Sequence, residues 1–140
     1  MLRGFEMMIA DDKNQDEKIR DILKRYNGVP DMIGVKPFGI HARTPYGDSL
    51  LHLASIAGDL EAISFLIASG ADVNDPGNSG MTPLHYAVQQ DQLHAAELLL
   101  KLGADPYYTD EAGETPLDWA TDLKHIKLLD LMKSHHPTSR

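Results

Sequence analysis

The chain repeats one phrase three times. Gly47-Asp-Ser-Leu-Leu-His-Leu-Ala54 returns as Gly80-Met-Thr-Pro-Leu-His-Tyr-Ala87 and again as Gly113-Glu-Thr-Pro-Leu-Asp-Trp-Ala120, each copy 33 residues after the last. The second halves keep the same step, with Ser69-Gly-Ala-Asp72 returning as Leu102-Gly-Ala-Asp105. A fixed period of this length marks a stack of near-identical supersecondary units, none able to bury its apolar side alone. Neighbouring units must therefore present complementary faces to each other, and the fold is built along one axis.

Each unit carries its own start and stop signals. Ser49, Thr82 and Thr115 stand as N-cap residues, and Pro83 and Pro116 fill the first helical position, where a missing N–H costs nothing; Leu50 takes that place in the first copy. The first helices are expected to run to about Ala57, Gln90 and Asp122. Second helices follow on Leu60, Ile63, Leu66 and Ile67, on Leu93, Ala96, Leu99 and Leu100, and on Ile126, Leu129 and Met132. Gly70 and Gly103 come after them, where a left-handed residue lets the chain turn into the next loop.

Ahead of the repeats, Ile19, Ile22, Leu23 and Tyr26 fall on one helical face opposite Asp16, Glu17, Lys18, Arg20, Lys24 and Arg25. This predicts a capping helix over about 15–26, ended at Asn27-Gly28, with residues 1–14 as a frayed end. Residues 28–46 hold three prolines and three glycines and form a long loop, partly packed through Met32, Ile33, Val35, Phe38 and Ile40. The expected division is a cap over 1–46, repeats over 47–79, 80–112 and 113–134, and a disordered tail over 135–140.

Residues 47 to about 133 resemble the ankyrin repeat family, on the strength of Thr-Pro-Leu-His at Thr82 to His85, the two Gly-Ala-Asp copies and the uninterrupted register. The resemblance implies an all-α ankyrin repeat solenoid of three repeats with an N-terminal capping helix. Each repeat would be two antiparallel helices and a hairpin-like loop, with loop tips and first helices on a concave side. It further implies that His52 and His85 brace the loops by hydrogen bonding, and that Asp118 in their row marks a closing repeat. Partner contacts in this family fall on variable positions, which map here onto Tyr46, Asp48, Ile56, Asn78, Ser79, Met81, Gln89, Gln90, Glu111, Glu114 and Asp122, with Tyr46 and Met81 as the central pair. Trp119 stands in the row of Leu53 and Tyr86 and is expected to pack on the first-helix face.

Charge narrows the partner class. Residues 47–134 carry fourteen Asp and Glu against four Lys, a net of −10, whereas residues 1–46 carry seven acids and eight bases. Such a field repels phosphate backbones and attracts basic surfaces, so a basic protein is the expected partner and nucleic acid is not. No apolar run approaches the roughly 18–20 residues of a membrane span, and the first residues lack a secretory pattern. With no cysteine, disulfides and thiolate chemistry are excluded, and the cytoplasm is the expected compartment.

Catalytic patterns are missing as well. The seven histidines are scattered, with no zincin spacing; Gly77-Asn-Ser-Gly80 lacks the strand and lysine of a phosphate cradle; no Gly-x-Ser-x-Gly elbow occurs. The chain is therefore read as a monomeric, non-enzymatic interaction module without cofactor, of inhibitor, immunity or adaptor type, by analogy with small bacterial ankyrin proteins that neutralise a co-produced toxin. The alternative is a small-molecule or metal-binding protein whose pocket is formed by residues 1–46, His41 included, against the first repeat.

Overall fold

A hydroxyl N-cap before each first helix, and a left-handed residue after every helix but the last, divides the repeats into short helices of seven to nine residues. The computed structural model describes the backbone of residues 2–26 and 40–135, and the side chains of 14–26 and 40–135. Within these limits the chain forms α1 (Leu2–Arg25), α2 (Leu50–Ala57), α3 (Leu60–Ala68), α4 (Pro83–Gln89), α5 (Leu93–Lys101), α6 (Pro116–Asp122) and α7 (Ile126–Ser134). The only β pairing among the described residues is an isolated antiparallel bridge between Arg43 and Ser49, so the loops are held by turns and side chains.

The helices lie in two layers. First helices α2, α4 and α6 pack in sequence to form a front layer, second helices α3, α5 and α7 form a back layer, and each first helix packs on its own second helix. Side chains of α1 join the back layer against α3: Arg25 and Tyr26 both reach the Asp59 carboxylate, at 2.9 and 3.1 Å, and the Lys18 ammonium lies 5.3 Å from the centre of the Phe65 ring. Asp59 is at the same time the N-cap of α3, accepting from the Ala62 N–H.

The core runs along the seam between the layers. Ile19, Ile22, Leu50, Leu51, Ile63, Leu66, Leu84, Leu99, Leu128 and Met132 are all buried, each worth about 1.5–3 kcal/mol relative to exposure. Every buried side-chain nitrogen or oxygen among the described residues has a hydrogen-bond partner. The turn between first and second helices repeats with the same step: Gly58, Asp91 and Lys124 occupy it with φ of 69°, 54° and 60°.

Two expectations for the leader need revision or fall outside view. Helix α1 begins at Leu2, well before the predicted start near residue 15, because Leu, Met, Glu, Ala and Lys in residues 2–13 favour helix even where the amphipathic period is weak. Ile40 is half-buried against the core as expected, while Met32, Ile33, Val35 and Phe38, and the tail beyond His135, lie outside the described residues.

Candidate functional site

Three tight turns, one per repeat, form the edge of the front layer. The Thr44, Gly77 and Asp110 N–H groups donate to the carbonyls of Asp48, Met81 and Glu114 at 2.8, 2.9 and 2.8 Å. Within each turn the Gly47, Gly80 and Gly113 N–H groups return to Thr44, Gly77 and Asp110 at 2.9, 3.0 and 3.0 Å. All three glycines have positive φ, which an L side chain resists.

Histidines tie these turns to the helices. The His52 Nδ1 accepts from the Ser49 N–H at 3.0 Å, so the proton sits on Nε2, which donates to the Asp75 carbonyl at 2.7 Å. His85 repeats the arrangement, accepting from the Thr82 N–H at 3.0 Å and donating to the Glu114 carbonyl at 3.0 Å. Burial holds both imidazoles below their ordinary pKa, in the neutral form that this bonding needs. Asp118, in the third copy, accepts from the Thr115 N–H at 2.9 Å. The loop-bracing role implied for His52 and His85 is thus what the geometry displays.

Two carboxylates organise the turns further. Asp48 accepts from the Tyr86 hydroxyl and from the Asn78 N–H, both at 2.9 Å, joining the first turn to the second. Asp110 accepts from the N–H groups of Ala112 and Glu114 at 2.9 Å and from the Trp119 indole at 3.0 Å. Burial pushes the Asp110 carboxyl upward, and these three donors outweigh it, leaving a net downward shift. Turns two and three are also joined directly, the Glu111 N–H donating to the Ser79 carbonyl at 3.0 Å. The result is a rigid ledge of loop tips above the front layer.

The sequence-selected residues divide into three groups. Tyr46, at 74% exposure, and Asn78, Ser79, Gln90, Glu111 and Asp122 are exposed, while Ile56, Gln89 and Glu114 are partly so. Asp48 is brought to the same edge, but its carboxylate is already bonded to the second repeat. Met81 departs from expectation: at 7% exposure it is buried beneath the ledge, so the exposed aromatic and thioether pair reduces to Tyr46 alone. Its row is the row of Asp48 and Glu114, and the thioether turns inward, whereas the Asp48 carboxylate takes donors at the edge.

Other participants carry no local signal. Arg43 places its guanidinium 2.6 Å from the Asp75 carboxylate and donates to the Gly47 carbonyl at 2.7 Å, pinning the first turn to the second loop. Tyr86 meets His52 edge to face, with ring centres 5.7 Å apart, and Trp119 is half-buried against the core, as its row predicts. Tyr107, in the last loop, is half exposed.

Four acids share the third turn and the first helix after it, and Lys124, Lys127 and Lys133 follow on the rest of that unit. Glu111, Glu114, Asp118 and Asp122 all belong to the third unit's turn and helix, and none forms an ion pair with a described residue. His41 is exposed, and among the described residues no three His, Asp or Glu side chains group as metal ligands would. No helix among them is long and apolar enough to cross a membrane.

Comparison with known proteins follows the same lines. A sequence model for ankyrin repeats in three copies matches residues 7–110, most of the chain, from within α1 to the third turn. The NF-kappa-B inhibitor cactus of Drosophila yakuba is 40% identical over 52 residues, 36% of this chain and 11% of the inhibitor. Protein phosphatase 1 regulatory subunit 27 of Homo sapiens is 42% identical over 43 residues, 31% of this chain and 28% of the subunit. The matched segment thus spans about a tenth of the inhibitor's length and under a third of the subunit's.

Proposed function

The chain belongs to the ankyrin repeat family, and on that premise we propose that it is a non-catalytic interaction module whose front face and loop ledge hold a protein partner with a basic surface. The observation that carries this reading is a contrast on one surface. The turns are immobilised by Asp48, Asp110, His52 and His85, yet the side chains they present, Tyr46, Asn78, Ser79 and Glu111, remain exposed. A rigid ledge carrying exposed side chains loses little conformational entropy on binding.

Charge supports the partner class. The unpaired acids of the third unit favour lysine and arginine on the opposing surface and speed their encounter at low salt. The relatives' names, an inhibitor and a regulatory subunit, favour a regulator that acts by occupying another protein. In this reading the chain works as a cytoplasmic monomer without a cofactor.

Affinity capture from a lysate of the source cell tests it, comparing the wild type with a Tyr46→Ala, Asn78→Ala, Asp122→Ala variant whose melting curve is unchanged. A protein retained by the wild type and lost by the variant, and lost also at high salt, is the expected result. Equal retention by both would overturn the front-face assignment.

A further inference from the structure

The exposed rows of the front face change character from the first repeat to the third. In the row near the ends of the first helices, Ile56 gives way to Gln89 and then Asp122; in the row at the loop tips, Pro45 gives way to Asn78 and then Glu111. The neighbouring tip row runs Tyr46, Ser79, Ala112, which places that row's aromatic at the first repeat, while the half-exposed Tyr107 stands in the loop before the third turn. The row of Ala57, Gln90 and Leu123, at the turn into the second helices, does not follow this order, nor does the next, Gly58, Asp91 and Lys124. Asp48 is the edge's acid in the first repeat, its carboxylate held in place by the neutral Tyr86 hydroxyl and Asn78 N–H.

From this grading, and resting on the proposed function above, we infer that the front face binds a segment of its partner in one fixed direction: an apolar anchor on the first repeat, at Tyr46 and Ile56, and a lysine- or arginine-bearing end on the third, at Glu111, Glu114 and Asp122. Each end is matched by complementary chemistry, and reversing the segment would set cations against Ile56 and apolar groups against unpaired carboxylates. The polar middle, Asn78, Ser79, Gln89 and Gln90, accepts main-chain or amide groups in either direction and leaves the choice to the ends. Adjacent packed helices lie about 8–10 Å apart, so α2 and α6 are separated by about 16–20 Å. That distance takes about six residues of extended chain at roughly 3.3 Å each, or about twelve of a helix at roughly 1.5 Å. The specified ligand is therefore short and bipolar, with apolar and basic blocks about that far apart.

A displayed library of random peptides about twelve residues long, selected against the full chain, supplies the probe. Peptides recovered at low salt are synthesised with a spin label at one end or the other, and the amide resonances broadened by each label are read. Binders with separate apolar and basic blocks are expected, a label at the basic end broadening Glu111, Glu114 and Asp122 and a label at the apolar end broadening Gly47, Leu53 and Ile56. Binders that sit on the front face with mixed composition, or in the opposite direction, would overturn the directional inference while leaving the interaction face intact. Binders on the back layer, or none at all, would overturn both. Glu111→Lys, on an exposed tip where folding is not at stake, should weaken the selected peptides about tenfold or more, and an unchanged affinity would count against the inference.

Discussion

His52 of α2 and Asp75 of the loop that ends the first repeat are joined by a 2.7 Å hydrogen bond from Nε2–H to the backbone carbonyl. The bond makes the loop's position a property of the helix, and Arg43, bonded to the carboxylate of the same Asp75, extends it to the preceding turn.

Replacing His52 with Ala should leave the Ser49 N–H and the Asp75 carbonyl without partners in a buried setting. An unsatisfied buried group costs about 1–3 kcal/mol, and we expect a loss of about 3 kcal/mol in urea unfolding, with weaker exchange protection at 49 and 75–77. A loss below about 1 kcal/mol would mean that solvent satisfies both groups.

Acid should destabilise the protein well above the carboxylate range. Burial lowers the pKa of His52 and His85 from 6.5 in the folded state, against the raising influence of the Asp75 carbonyl and the Asp48 charge on the one and of the Glu114 carbonyl and the Asp110 charge on the other. The unfolded chain then binds protons first, so this stability is complete above about pH 6.5 and falls as pH drops below it. The slope is at most about 1.4 kcal/mol per pH unit for each histidine. Asp59 and Asp110, whose pKa values lie below 3.8, add a second loss at lower pH. Denaturant titrations at several pH values would show the two phases, and a flat profile between pH 7.5 and about 5 would contradict the burial argument.

Gly77 opens the second turn and Gly113 closes the third, and they should respond differently to alanine. A Cβ at Gly77 would lie 2.8 Å from the His52 Nε2 and against the Asp48 carboxylate, whereas one at Gly113 meets nothing within 4 Å. Gly113→Ala carries only the positive-φ strain, about 1 kcal/mol, while Gly77→Ala should cost more and disturb the His52 bond. Thermal melting of the two variants measures the difference, and equal costs would mean that the second loop gives way easily.

Asp110→Ala removes the acceptor for two backbone N–H groups and the Trp119 indole, and should lose about 2–3 kcal/mol. Trp119 is the chain's single tryptophan, so its emission should shift to the red in this variant while still folded. Unshifted emission would show the indole to be held by packing alone.

The repeat architecture was legible because period, caps and turns are local and recur in register. The N-caps at Ser49, Thr82 and Thr115 and the left-handed Gly70 and Gly103 follow from local motifs, while the bracing of loops by His52 and His85 is what the resemblance to the ankyrin family implies. What the sequence hid depends on neighbours distant along the chain. Asp48 is bonded by residues 30 and 38 positions away, and nothing beside it in sequence signals that its carboxylate is occupied. Met81 has the side chain expected of an exposed contact residue, and the fold turns it inward. The early start of α1 was obscured because helix propensity, without a clear apolar stripe, is a weak signal.

The hydrogen-exchange footprint of the chain bound to its captured partner locates the face that holds it. New protection is expected at 46–48, 78–81 and 111–114 and along 53–57, 89–90 and 119–122, with α3, α5 and α7 unchanged. Protection confined to those second helices, with the loop ledge exchanging as it does in the free chain, would contradict the front-face assignment.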